Sequence, residues 1–439
     1  MSLAEGARWA LMHGSARALM RRARRKGDLV PALMLEGGSD DPYPIYDEVR
    51  RRGKVVPGTF AWATGHHDVV TEVLRDNRFS VRFDGDDTPW YIRAAIAVSH
   101  EKGLFNPVEP PSMLAVDPPQ HTRYRKLVQK AFTARAVERL RDRVHEITEE
   151  LLDDLARRPS VDLAADYAGI LPVTVIAEML GVPTSMRAQF LEWGNEAALT
   201  LDIGLPYRDY QRAMHGLRGL NGWFREHFEA VRRNPKDDII SALATLEDEG
   251  DRLNDDELMA TALLLLGAGF ETTVNLIGNG ALALVQHPEQ LEALQAEPEL
   301  WPNAVEEVLR FDSPVQSTGR LATEDVELAG VHVPRRTIVV TLLGAANRDP
   351  AVFTEPDRFD VRRANAREHL AFSSGVHYCL GANLARLEGE VALRMLFDRF
   401  PDLSLAGQPH RRDTRTLWGY DAMPVALHGS SRPVQPVGA

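Results

Sequence analysis

The chain has a single cysteine, Cys379. Its sulfur has no partner for an internal disulfide and is left with three roles: a small apolar core group, a nucleophile or a metal ligand. It sits in Phe372-Ser373-Ser374-Gly375-Val376-His377-Tyr378-Cys379-Leu380-Gly381. Helical periodicity follows over Leu380–Phe400, with Leu384, Leu387, Val391 and Met395 on one face. Gly375 permits a tight turn. A sulfur at a helix start meets unpaired N–H groups and the positive end of the dipole, which favour thiolate over thiol. A thiolate without a second sulfur fits one metal bond, as in thiolate-ligated haem. Taken alone, such a cysteine is as readily a buried structural thiol.

A second stretch carries chemistry where packing alone would not choose it. Leu263-Leu264-Leu265-Leu266-Gly267-Ala268-Gly269-Phe270-Glu271-Thr272-Thr273 places two glycines, a carboxylate and two hydroxyls inside an apolar helix. On one reading the small residues admit a flat ligand, Thr272 back-bonds or opens the helix to hold water, and Glu271 relays protons. On the other, the glycines admit a neighbouring helix and Thr272 bonds its own backbone. Asn254 and Glu257 form a capping box ahead of this stretch, and no proline follows until Pro288. The spacing predicts roughly 33 residues and ~50 Å of helix.

Two segments pair charges in a pattern of their own. Glu307-Val308-Leu309-Arg310 sets opposite charges three apart on one helix face, and Pro356-Asp357-Arg358-Phe359 follows about fifty residues later. Asp117-Pro118-Pro119-Gln120-His121-Thr122-Arg123-Tyr124-Arg125 and Gly319-Arg320 supply cations and imidazole that suit a ligand with carboxylates.

Phe-x-x-Gly-x-His-x-Cys-x-Gly resembles the haem-binding loop of the cytochrome P-450 family, with Ser373 where that family usually has glycine. Ala268-Gly269-x-Glu271-Thr272 resembles its oxygen-activating helix. Glu307-x-x-Arg310 and Pro356-x-Arg358-Phe359 resemble its Glu-x-x-Arg and Pro-x-Arg-Phe elements. The motifs occur in family order over roughly residues 40 to 428. The resemblance implies a mainly α fold with small β-sheets and a long central helix over haem. It implies noncovalent haem b, iron-ligated by Cys379 and contacted by Phe372, Gly381, Ala268 and Gly269. His121, Arg125, Arg320 and His377 would hold the propionates. Thr272 and Glu271 would deliver protons to dioxygen. Glu307, Arg310 and Arg358 would form a buried structural network. The activity implied is insertion of one oxygen atom into a hydrophobic small molecule, with electrons from a ferredoxin and its NAD(P)H-dependent reductase. At 439 residues no fused flavin reductase is expected. Two other readings are a peroxide-driven haem enzyme, which needs no acid–alcohol pair, and a haem sensor or carrier, which shows no substrate-dependent NAD(P)H consumption.

The elements that must position these residues are mostly helical. Periodicity predicts helices at Pro44–Arg52, His67–Asp76, His121–Lys130, Ala134–Arg157, Val173–Leu180, Tyr207–Arg233, Asp237–Asp248, Asp255–His287, Pro288–Gln295 and Pro302–Arg310. Strands are expected at Val55–Thr64, Val326–Leu328, Val331–Val333, Thr337–Leu342 and near Met423–His428. One domain over residues 36–428 is expected between a mobile basic segment, 1–35, and a flexible tail, 429–439. Arg17, Arg21, Arg22, Arg24, Arg25 and Lys26, with Trp9, Leu11 and Leu19, also admit an amphipathic helix on an anionic membrane. A net charge of −12 argues against nucleic acid. No uninterrupted apolar run has the length of a membrane span, and cysteine poverty points to the cytoplasm. Arg123, Lys126, Lys130 and Arg386 offer a basic face to an acidic redox partner.

Overall fold

The helix that organises the molecule is Asp255–Gln286, and its start is fixed by side chains. Asn254 Oδ1 accepts from the Glu257 N–H at 3.0 Å, and Glu257 Oε2 accepts from the Asn254 N–H at 3.0 Å. Both halves of the capping box are present. The computed structural model describes residues 3–35, 41–88, 93–94, 96–97, 101–245 and 251–427. Within it the helices used below are α1 (Leu3–Trp9), α2 (Ser15–Arg25), α3 (Gln120–Val128), α4 (Ile170–Met179), α5 (Arg187–Ala198), α6 (Tyr207–Arg233), α7 (Asp255–Gln286), α8 (Trp301–Phe311) and α9 (Ala382–Arg399).

The central helix α7 is apolar all round, so it must be enclosed. Helices α4, α5, α6, α8 and α9 pack against it, and together they form the largest hydrophobic core. By length and composition α7 would span a membrane, yet 78% of its apolar window is buried inside the protein.

A four-stranded sheet stands beside this bundle: β1 (Trp62–Thr64), β2 (Phe79–Ser80), β3 (Ser317–Ala322) and β4 (Ile338–Leu342), in the order β1-β4-β3-β2. β1 runs parallel to β4, and the other pairs are antiparallel. The expected mainly α fold with small sheets is therefore the observed one.

Several boundaries differ from expectation. Val55–Thr64 is a strand only over β1, because Gly58 makes a tight turn in which an added Cβ would lie 2.3 Å from Ala61 O. Ala134–Arg157 is two helices, Ala134–Glu138 and Arg141–Leu155, and nothing in the sequence marks the break. β3 was not expected, since Gly319 and two hydroxyl residues hide its alternation. α5 was also not expected. Its Gly194 reads as a breaker, but it admits the Phe270 ring of α7. The expected helix Asp237–Asp248 is seen as Ile239–Thr245, with its last residues outside the described ones, as are His428 and the tail 429–439.

The basic N-terminal segment, expected to be mobile, is helical and fastened down over the described residues 3–35. Its inward face carries Trp9, His13, Met20 and Ala23, a helical spacing that finds a partner surface. Trp9 Nε1 donates to Leu205 O at 2.9 Å, Arg17 Nη1 donates to Gly204 O at 2.8 Å, and the Leu205 N–H donates to His13 Nδ1 at 3.2 Å.

Candidate functional site

The loop around Cys379 is held from several directions. The Leu370 N–H donates to Asn347 Oδ1 at 2.6 Å, and the Cys379 N–H donates to Phe372 O at 2.9 Å. Buried Glu306 gathers His369 Nε2 at 2.9 Å and Arg386 Nε at 2.8 Å. Burial pushes that carboxyl up, but bonds from His369 and Arg386 outweigh it and hold Glu306 at about 2. Burial keeps His369 low, so a neutral imidazole donates to a carboxylate. The Arg386 guanidinium also lies 4.7 Å from the Phe372 ring centre.

Two left-handed residues shape the turn. Gly375 has φ +70°, and a Cβ there would meet Leu74 O at 2.5 Å. Ser373 has φ +63°, and its buried hydroxyl has no partner. Serine therefore adopts the conformation for which glycine is the usual residue, at a cost of about 1 kcal/mol.

Cys379 is partly exposed, and the following helix starts only at Ala382. The expected thiolate at a helix terminus is not what the geometry favours. Burial pushes the Cys379 thiol up, more than the Gly381 N–H, Arg125 and Arg386 pull it down. A thiolate here needs a further cation against the sulfur.

Four donors gather nearby, with Asp117 close enough to act on Arg320 and His121 through its charge but with its carboxylate hydrogen-bonded to neither side chain among the described residues. Arg125, on α3, donates to Tyr378 O at 2.7 Å. The His121 and His377 rings are 4.3 Å apart, and His377 Nε2 is buried with no hydrogen-bond partner among the described residues. Burial, with His121, Arg320 and Arg125 alongside, drops His377 to about 3. Arg320, on β3, is 4% exposed and donates only to Thr318 Oγ1 and Gly319 O, each at 2.9 Å. Burial lowers it to about 10, and no carboxylate among the described residues bonds it. Two guanidiniums and two imidazoles left this way fit a ligand bearing carboxylates, as haem does.

The middle of α7 has one opening. Ala268 is exposed and Gly267, Gly269 and Thr272 are partly exposed, in a helix otherwise buried along most of its length. A Cβ on Gly267 would meet nothing, so no helix packs there. A Cβ on Gly269 would lie 2.8 Å from Ile176 of α4, so that glycine also lets α4 pack closely. Thr272 Oγ1 back-bonds to Ala268 O at 3.0 Å. Glu271 is 1% exposed and ion-paired with Arg412, which sequence reasoning did not single out; its Oε2 has no partner. Burial pushes Glu271 up, and Arg412 opposes it.

The expected structural network is present with one member changed. Arg310 grips Glu307 through Nε at 2.7 Å and Nη2 at 2.8 Å, both side chains fully buried. The second cation is Arg363, with Nε 3.1 Å from both Glu307 oxygens. Arg358 contributes only its backbone carbonyl, accepting from Arg310 and Arg363, while its side chain is 58% exposed. A motif fixes spacing but not side-chain direction, and Arg363 lies beyond its last residue.

The proposed basic face is altered too. Arg386 belongs to Glu306. Arg123 is bound to Asp251 and Glu257, which ties α3 to the first turn of α7. Lys126 and Lys130 are exposed. A recess of about 330 Å³ lies there, lined by Arg125, Gln129, Lys130, Tyr378 and Cys379.

The segments around 106, 200–202, 314 and 415–418 are stitched together. Trp418 N donates to Pro314 O at 2.8 Å, and Asp202 accepts from the Arg415 and Thr416 N–H groups at 2.7 and 2.8 Å. Thr200 Oγ1 is 3.3 Å from Asn106 Oδ1.

The sequence profile of the family Cytochrome P-450 matches residues 173–417. The chain is 48% identical over 433 residues to a Mycobacterium tuberculosis protein named cytochrome P-450 140, covering 98% of this chain and 99% of the relative. It is 42% identical over 411 residues to 6-deoxyerythronolide B hydroxylase of Saccharopolyspora erythraea, covering 91% and 99%. A solved myxobacterial cytochrome P-450 in complex with myristic acid superposes with TM-score 0.82 at 36% identity, covering 91% of this chain and 100% of that one.

Proposed function

This chain belongs to the cytochrome P-450 family and is a haem-dependent monooxygenase, and on that premise we propose how its own residues serve the reaction. Cys379 Sγ would hold the haem iron, which would supply the cation that its thiolate needs. The haem is of the b type, since a lone cysteine outside any Cys-x-x-Cys-His offers no covalent attachment. The observation that carries this reading is the cradle of Arg125, Arg320, His121 and His377, in which no carboxylate among the described residues bonds Arg320 and whose donors would receive the two propionates. Phe372 and Gly381 contact the haem from the cysteine loop, and Ala268 borders it from α7. Gly269 borders it beside Ala268, while the side on which a Cβ would stand lies against Ile176.

When bound, the haem supplies dioxygen activation and insertion of one oxygen atom into a C–H or double bond, the other atom leaving as water with two protons and two electrons from outside. Thr272 Oγ1 holds a proton at the opening of α7 and releases it when its bond to Ala268 O swings away. Glu271 replaces that proton through Oε2, whose acidity is set by burial against the Arg412 charge. A ferredoxin, reduced by an NAD(P)H-dependent reductase, delivers electrons at the recess beside Cys379, where Lys126 and Lys130 favour an acidic partner. The substrate is a hydrophobic small molecule and the enzyme works in the cytoplasm. The names of the hydroxylase and of the myristic acid complex support that class.

The test is the spectrum of the reduced, carbon-monoxide-bound protein and its Cys379→Ala variant. A strongly red-shifted Soret band that the variant loses is expected. A conventional haem–carbonyl band in the unmodified protein overturns the ligand assignment.

A further inference from the structure

The N-terminal helices have an outer face as distinctive as their inner one. Ala7, Ala10, Leu11, Ala18 and Leu19 are exposed on it, with Leu11 at 46% and Leu19 at 54%. The hydroxyl of Ser15, between them, is turned back onto Leu11 O, which leaves the stripe apolar. Ile203, 49% exposed, belongs to the turn that Arg17 of α2 holds at Gly204 and His13 holds at Leu205. The described surface exposes six large apolar side chains, and three of them lie on this one corner.

Charge is distributed just as unevenly. Arg21, Arg22, Arg24, Arg25 and Lys26 are exposed at the end of α2, and none has an ion-pair partner among the described residues. Arg208, at the start of α6, is exposed in the same way. Elsewhere exposed arginines such as Arg51, Arg158 and Arg335 are matched to carboxylates. The chain as a whole carries −12, so an anionic surface repels most of it and attracts this corner.

We propose that this corner docks on an anionic lipid surface. Leu11, Leu19 and Ile203 enter the boundary between headgroups and acyl chains, and the five cations of α2 with Arg208 lie on the lipid phosphates. Trp9 takes no part, because it faces inward and is hydrogen-bonded to Leu205 O. Lipid is favoured over an acidic protein because the face is a convex helix with aliphatic tips. A deformable bilayer boundary accepts such tips. Docking brings the 199–206 turn, which α1 and α2 hold, to the interface.

Co-sedimentation of the haem-loaded full chain with vesicles tests this. Vesicles of phosphatidylcholine with phosphatidylglycerol are compared with phosphatidylcholine alone. Binding to the anionic vesicles is expected to be at least ~tenfold stronger at low salt and to weaken in concentrated salt. Arg21→Gln/Arg22→Gln/Arg24→Gln/Arg25→Gln lowers it at least ~tenfold, since each cation near the surface contributes to binding. Leu11→Gln/Leu19→Gln lowers it at least ~threefold with charge unchanged. Arg51→Gln/Arg335→Gln/Arg394→Gln/Arg399→Gln removes equal charge elsewhere and leaves binding unchanged. All three variants alter solvent-facing side chains and keep the haem spectrum. The proposal is overturned by absence of binding, by a control variant that loses as much, or by a leucine variant that loses nothing. The last outcome means purely electrostatic attraction, for which an acidic protein is the better partner.

Discussion

The molecule buries arginine twice, to opposite ends. Around Glu307, the carboxylate faces Arg310 and Arg363, and both guanidiniums also find carbonyls of Asn347, Thr354, Pro356 and Arg358. Around Arg320 there are two hydroxyl or carbonyl acceptors and no bonded carboxylate among the described residues, Asp117 acting only through its charge, with His377 Nε2 unpartnered beside it. Burial of a charge is costly in both places. In the first the partners are built into the chain, so the network is architecture. In the second they are missing, so the cluster is made for something that arrives with its own negative charge. Completeness of partners, more than depth of burial, separates a structural charge cluster from a binding one.

That contrast has consequences of graded size. Arg363→Ala leaves Glu307 with Arg310 as its one remaining buried cation and is expected to cost ~1.5–3 kcal/mol. Arg358→Ala removes an exposed side chain and should leave the denaturation midpoint where it was. Urea titration of both variants decides between them, and equal losses would restore Arg358 to the network. The next effect belongs to the open cluster. Arg320→Leu is expected to leave the haem-free protein as stable as before or slightly more so, since it removes an unpaired buried charge. Haem transfer to a competing apoprotein should quicken at least ~tenfold, about the strength of one charge-assisted hydrogen bond. A destabilised haem-free protein with unchanged haem release would make Arg320 structural. The smallest effect is at Ser373, where glycine takes up φ +63° without strain. Ser373→Gly should raise stability by ~1 kcal/mol, seen as a melting point a few degrees higher. A lower melting point would mean that the buried hydroxyl has a partner in the working protein.

Much of the site was legible in the sequence where the signal is chemical and local. The capping box at Asn254 and Glu257, the apolar helix with its small-residue opening, and the grip of Arg310 on Glu307 are all consequences of spacing on one helix. What was not legible depends on directions that spacing leaves free. Gly267 and Gly269 look alike in sequence, yet one adjoins open space and the other meets Ile176. Glu271 gave no hint of Arg412, since their partnership comes from how a late hairpin packs on α7. The thiol of Cys379 was misjudged because its loop continues to Ala382 before the helix begins, so burial outweighs the helix dipole. The N-terminal basic run disguised a docked helix, because its charges occupy the face turned away from the body.

Arg123 has a kinetic consequence. It joins α3 to the first turn of α7 across 134 residues of chain. Arg125 reaches Tyr378 across 253, and Glu271 meets Arg412 across 141. Closing loops of such length comes after local helices have formed, since the entropy lost is recovered only when the distant partner is in place. The walls of this site are thus among the last features the chain completes. A nascent or truncated chain, however helical, has no cradle to offer, and cofactor uptake becomes a checkpoint on having finished folding.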